Sequence, residues 1–159
     1  MIDWAEISKK DTDLLLEAAK FEQDFPSFFR NSGNSWTADE KSLLEFYQHC
    51  SGLFGLFNYT SLVGLVYFET ITDGVENVHL DLKRGIKSAE IENAICEIRD
   101  FQFLSGVQIC SAWCLKRNRQ IKDLLHRVGF QPTYLTMKFG FSHNKVLEWE
   151  QFNIAPQEV

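Results

Sequence analysis

The sequence predicts an α/β fold built on a mixed, mostly antiparallel sheet of six or seven strands with helices on both faces. Three stretches carry that expectation. Val78, Leu80 and Leu82 alternate with His79 and Asp81, the two-residue period of a half-buried strand. From Ser88 the apolar positions Ile91, Ile95 and Ile98 recur at helical spacing with Ala94 beside them, and Ser88 is the expected N-cap. Val107, Ile109, Cys110, Ala112, Trp113 and Leu115 then form an apolar run too short for a helix, which reads as a strand covered on both faces. Two strands joined through a helix run parallel, by a right-handed crossover.

The remaining elements follow in chain order. Met1 to Ser8 forms a short opening strand, and Asp11 or Thr12 caps a helix that turns Leu14, Leu15, Ala18, Ala19 and Phe21 inward. Phe25, Pro26, Phe28 and Phe29 form an aromatic cluster, expected beneath this helix as part of the core. Asn31 to Ser35 reads as a loop. Thr37 and Glu40 fit a capping box, with Trp36 as a staple, opening a helix through Leu43, Leu44, Phe46 and Tyr47. Two strands then meet in a hairpin at Asn58 to Ser61, and the turn signal Asp73-Gly74 extends the antiparallel run to the Val75 to Leu82 strand. A further helix from Asn118 presents Ile121, Leu124, Leu125 and Val128 and ends at Gly129. Gln131-Pro132 is a break, and Tyr134 to Phe141 and Val146 to Phe152 make a last strand pair around Ser142 to Lys145, a turn that includes His143.

A length of 159 residues suits one domain, residues 1–159, with room for a sizeable core. With 45% hydrophobic and 24% charged residues, the composition is that of a soluble globular protein and excludes a disordered one. The net charge of -6 argues against nucleic-acid or anionic-membrane partners, and no apolar run reaches membrane-spanning length. The N-terminus lacks a signal-peptide pattern, so the expected compartment is the cytoplasm. Cys50, Cys96, Cys110 and Cys114 then read as reduced thiols. Cys110 and Cys114 share a strand face but stand roughly 13 Å apart, too far to share a metal ion, and no metal site is expected.

A tight turn between a strand and a helix places free N–H groups and the positive end of the helix dipole at one point, which suits an anion. Here the turn holds Lys83, Arg84 and Lys87 in a chain whose net charge is negative. A phosphate-binding turn and a solvated basic turn are both consistent with these residues.

In this context Arg84-Gly85-Ile86-Lys87-Ser88-Ala89 resembles the Q/R-x-x-G-x-G/A signature of the GNAT acyltransferases, and Asn118 followed by a helix and Gly129-Phe130 is similar to their later motif. The resemblance covers about the central and C-terminal two-thirds of the chain. It implies a splayed pair of parallel strands, acetyl-CoA as cofactor, and a small-molecule or peptide amine as acceptor, in a monomer or homodimer. It assigns the pyrophosphate to Lys83, Arg84, Gly85, Lys87, Ser88 and Ala89, and the pantetheine arm to strand backbone near Leu80 and Leu82 and to Asn118. The aromatic cluster around Phe25 would border the acceptor pocket. Two departures bear on mechanism: Lys87 replaces a glycine of the motif, and Leu125 stands where many members carry a tyrosine that protonates the coenzyme A thiolate.

Acyl transfer also needs a base. Glu69, Glu76 and His79 lie on strands facing the acceptor, with Glu76 and His79 the catalytic candidates; the imidazole is the more available base at neutral pH. The rival reading is a GNAT-like binding or structural protein, of the kind phage and prophage genomes carry, whose coenzyme A site has degenerated. No nucleophile elbow, P-loop or zinc motif is present in the sequence. Lys116, Arg117, Arg119, Lys122 and Arg127 form a basic stripe that the resemblance sets beside the adenosine 3′-phosphate.

Overall fold

The computed structural model describes residues 1–25, 39–142 and 144–156. Along the chain lie β1 (Ile2–Glu6), α1 (Thr12–Asp24), α2 (Glu40–His49), β2 (Gly52–Asn58), β3 (Ser61–Thr72), β4 (Val75–Leu82), α3 (Ser88–Leu104), β5 (Ile109–Leu115), α4 (Arg119–Arg127), β6 (Gln131–Ser142) and β7 (Lys145–Ile154). The strands form a seven-stranded sheet in the order β1-β2-β3-β4-β5-β7-β6. Among the described residues only β4 and β5 pair in parallel, as the crossover through α3 requires.

Strand alternation sends side chains to cores on both faces of the sheet. Phe54, Leu56, Val66 and Phe68 meet Ile91, Ala94 and Ile98 of α3 and Leu124 and Leu125 of α4 on one face. Leu53, Leu65 and Tyr67 meet Leu15, Ala18, Ala19 and Phe21 of α1 and Leu43 and Tyr47 of α2 on the other. Aromatic rings meet in the first of these cores by edge-to-face contacts, such as Phe54 with Phe68 and Phe101.

Some local expectations fall on residues outside those described, and others need correction. The capping box at Thr37, the staple at Trp36, the Asn31 to Ser35 loop, Pro26, Phe28, Phe29 and His143 lie outside the described residues. The N-cap of α2 is Asp39, whose carboxylate accepts from Ser42 N–H at 2.7 Å. Leu14 is only partly buried, and Glu22 takes an inward position on α1 instead. Pro132 lies inside β6 and does not break it; β6 is the sheet's edge, where a missing N–H costs no ladder bond if it faces outward. The irregularity falls just after it, between Pro132 and Thr136, with Tyr134 at φ 65.

Candidate active site

β4 and β5 face each other at three positions only, Val75 with Ile109, Glu76 with Cys110 and Asn77 with Ser111. Beyond Asn77, β4 stays with β3 as far as Leu82, and β5 stays with β7 as far as Leu115, so the two neighbours part. The gap opens into a cavity of about 350 Å³ lined from both faces of the sheet. Leu80, Ala112 and Leu124 stand on the α3 and α4 side, with His79, Trp113 and Trp149 on its walls as well. The β4–β5 ladder ends at Asn77, so past that residue the edge of β4 that faces β5 is not paired with β5. Backbone groups along such an edge can bond an extended, amide-bearing ligand as a neighbouring strand would.

The basic turn is the mouth of this cavity. Lys83, Arg84, Gly85 and Ile86 line it, and Gly85 has φ +91 with no atom within 4 Å of where a Cβ would stand. Glycine is the residue that holds this left-handed conformation without strain. The N–H groups of Ser88 and Ala89, in the first turn of α3, have no partner among the described residues. Lys83, Arg84 and Lys87 form no ion pair among the described residues.

Lys87 is exposed and does not line the cavity, so its ammonium leaves the opening clear. It is also the N-cap position of α3, one residue before the expected Ser88, and its N–H donates to the Glu90 carboxylate at 3.3 Å. Ser88 is buried and its hydroxyl turns to another partner: Arg127 Nη2 donates to Ser88 Oγ at 3.0 Å, while Arg127 Nε pairs with Glu92 at 3.4 Å. A cation from α4 is thereby fixed at the first turn of α3. The sequence showed Arg127 only as one member of a stripe. Two other members meet acids of β7, Lys122 with Glu150 at 2.7 Å and Lys116 with Glu148 at 3.5 Å.

Asn118 lines the cavity and caps α4, its Oδ1 accepting from Ile121 N–H at 3.2 Å. One amide oxygen is thus engaged in the helix cap, and the Nδ2 hydrogens are the part of the side chain suited to a ligand. Leu125 is buried and lines the cavity, at the position where the resembling acyltransferases carry a tyrosine. His126 points elsewhere, its ring edge-on to Phe152, and does not supply the missing hydroxyl. Gly129 ends α4 with φ +99, and Phe130 N–H bonds Leu125 carbonyl at 2.8 Å, closing the helix as its sequence position predicts.

The structure separates the two base candidates. Glu76 lies where β4 and β5 are still paired; it is 7% exposed, accepts from Gln102 Nε2 at 3.0 Å and is not a cavity residue. His79 lines the cavity, stacks on Tyr67 at 4.9 Å and pairs through Nε2 with Glu69 at 2.6 Å. The imidazole hydrogen bond holds the Glu69 carboxyl below its ordinary value.

On the same face, Tyr67 donates to Asp81 at 3.2 Å, and Glu22 and Tyr47 complete a buried group. Burial, reinforced by the Asp81 carboxyl, drives Glu22 far above the carboxylate range, so Glu22 is held protonated. Leu15, Ala18, Ala19 and Glu22 follow helical spacing, and that pattern in the sequence could have revealed the buried acid. On the other side, burial pushes Cys110 up to about 12 and Cys114 up to about 11, leaving both cavity-wall thiols protonated at neutral pH.

This sheet order, with one diverging parallel pair, is the GNAT acetyltransferase fold. Solved acetyltransferase structures superpose over nearly the whole chain. A Salmonella typhimurium protein assigned as an acetyltransferase, solved with its cofactor acetyl-CoA, gives a TM-score of 0.81 at 13% identity, covering 99% of this chain and 95% of that one. A ribosomal-protein-alanine N-acetyltransferase of Brucella melitensis gives 0.79 at 12% identity, covering 96% and 99%. An N-acetyltransferase of Staphylococcus aureus gives 0.75 at 12%, covering 98% and 97%. No family model and no curated protein matches the sequence. No helix among the described residues is long and apolar enough to cross a membrane.

Proposed function

We propose that the protein transfers an acetyl group from acetyl-CoA to an amine of a small molecule or peptide. The observation that carries this reading is the open gap between β4 and β5, which runs from a cationic helix N-terminus at Lys83 to Ala89 toward His79. Lys83, Arg84, Gly85, Ser88 and Ala89 would hold the diphosphate, through charge and through the first N–H groups of α3; Lys87, exposed and outside the cavity lining, would add only a screened charge at the mouth. The backbone at Leu80 and Leu82, with Asn118, would hold the pantetheine amides. The open space over Gly85 and the exposed position of Lys87 outside the cavity lining support the fit.

When bound, acetyl-CoA would supply an acetyl carbon activated as a thioester; transfer forms a C–N bond, breaks the C–S bond and releases a proton from the amine. His79 takes that proton. A backbone N–H of β4 polarises the carbonyl, which needs no side chain. Leu125 offers no proton, so protonation of the thiolate falls to solvent. Glu76, engaged by Gln102 away from the cavity, has no part in this scheme.

Calorimetric titration with acetyl-CoA tests the binding half, with micromolar affinity expected and absence of binding refuting it. Thiol release across a panel of primary amines tests turnover. Binding without thiol release for any amine would leave a GNAT-like binding protein.

A further inference from the structure

We propose that the acceptor is a primary monoamine with an aromatic or bulky apolar body and no second charge, and that Trp113 is the residue that selects it. This rests on the acyltransfer reading above and names the substrate class of the same site. Strand alternation decides which side chains the acceptor meets. Asn77 and Ser111 are the last pair of β4 and β5, so the next residues of the two strands on that face are His79 and Trp113, one on each bank of the opening. Val78, Leu80, Ala112 and Cys114 turn to the α3 and α4 side, where the donor lies in the proposed reaction. The acceptor half of the cavity is therefore the side of His79 and Trp113.

The β5–β7 register extends this wall away from His79. Leu115 pairs with Trp149, and Leu115, Leu147 and Trp149 form a small core drawn from strands, with Trp113 packed against it. Those three are at most 7% exposed, whereas Trp113 is half-buried and lines the cavity. Trp149 Nε1 donates to the Phe139 carbonyl at 2.9 Å, which ties its ring across the β6–β7 hairpin and engages its polar atom. Such a wall offers stacking and dispersion to an apolar group. An indole face also attracts a cation. The nitrogen that attacks the thioester must be neutral and close to His79, however, which leaves the indole to the body that carries the amine.

The same alternation removes charge from the wall. Glu148 and Glu150 alternate with Leu147 and Trp149 along β7 and take the opposite face, where Lys116 and Lys122 pair with them. Among the described residues the cavity lining holds no Asp or Glu, and its cations Lys83, Arg84 and Arg99 belong to the turn before α3 and to α3 itself. Of the acids on the His79 side, Glu69 pairs with His79, Asp81 is buried and bonded by Tyr67, and Glu22 is held protonated. A polyamine, a lysine-bearing peptide or an amino acid would bring a second charge against Trp113 and Trp149 without a counter-charge there. That desolvation cost is one an apolar body avoids.

The test uses the full chain with acetyl-CoA. Thiol release should give phenethylamine and tryptamine a kcat/KM about tenfold or more above that of spermidine, glycine or a lysine-bearing peptide. Trp113→Leu should lower kcat/KM for the aryl amines by about tenfold or more, chiefly through KM, while acetyl-CoA affinity changes by about twofold at most; Trp113→Phe should recover most of the loss. A binding readout stands apart from turnover: the Trp113 indole signal in nitrogen-15 spectra, assigned by its loss in Trp113→Phe, should move on adding phenethylamine and stay in place with spermidine. Preference for spermidine, glycine or the peptide, an aryl-amine kcat/KM unchanged in Trp113→Leu, or an indole signal that does not respond to phenethylamine overturns the proposal while leaving acyltransfer standing. Absence of thiol release from wild type for every amine overturns both.

Discussion

Asn77 and Ser111 are the last residues at which β4 and β5 face each other, and everything proposed for the site follows from the strands parting there. If the gap is the ligand channel, filling it should abolish binding without unfolding the sheet. Ala112 is buried on the wall just past the divergence. Ala112→Phe should weaken acetyl-CoA binding by at least tenfold in calorimetry, at a stability cost of about 1–3 kcal/mol from overpacking. The circular dichroism spectrum should keep its wild-type shape.

The mouth gives a contrast between two cations of the same turn. Arg84 lines the cavity and Lys87 does not. Removing one charged hydrogen bond to a phosphate costs about 1.5–3 kcal/mol, so Arg84→Ala should weaken acetyl-CoA binding by tenfold or more. Lys87→Gly should change it by about twofold at most, the size of a screened surface charge. A large gain in affinity with Lys87→Gly would mean that the side chain obstructs the site.

Leu125 offers a gain-of-function experiment. Its side chain is buried on the cavity wall at the position where the resembling enzymes carry a phenol. Leu125→Tyr adds a group able to protonate the departing thiolate, and positioned acids contribute about 10²–10⁴-fold in favourable cases. A rise in kcat at unchanged acetyl-CoA affinity is expected, read by thiol release. Equal or lower kcat would show that thiolate protonation does not limit turnover.

Glu22 predicts a pH dependence of stability. Its folded-state affinity for a proton is raised by burial and by the neighbouring Asp81 carboxyl. A group of this kind adds stability that is complete below its unfolded value, near 4.5, and that declines as pH rises above it. Denaturant midpoints of the wild type should therefore fall from pH 5 toward pH 9, by up to about 1.4 kcal/mol per unit if Glu22 dominates. Glu22→Gln should flatten that slope, because the amide carries no proton to lose. A wild-type profile as flat as that of the variant would contradict the buried, protonated carboxyl.

The fold was largely legible because its signals are local. Alternation in β4, the isoleucine spacing of α3, the turn at Gly74 and the helix end at Gly129 each depend on a few adjacent residues, and each lies where the pattern puts it. Around the candidate site, the turn from β4 into α3 and the Asn118 cap of α4 were legible because a few adjacent residues decide them. What escaped depends on contacts between distant segments. Ser88 looked like an N-cap from its place ahead of the helical pattern, but Arg127, 39 residues away, gives its hydroxyl another partner. Glu76 and His79 looked alike on one strand, yet Gln102 claims the first and Glu69 the second. Pro132 looked like a break because no local pattern marks β6 as the edge of the sheet.

The opening that crosses the sheet has a kinetic corollary for the proposed reaction. A donor threaded from the α3 and α4 face and an acceptor approaching the opposite face use separate entrances, and neither has to vacate the protein to admit the other. With Cys110 and Cys114 held as thiols, neither is poised as a thiolate to carry the acetyl group between them. Initial-rate plots at varied concentrations of both reactants should accordingly intersect, the mark of a ternary complex, rather than run parallel as a shuttle through a covalent enzyme form requires.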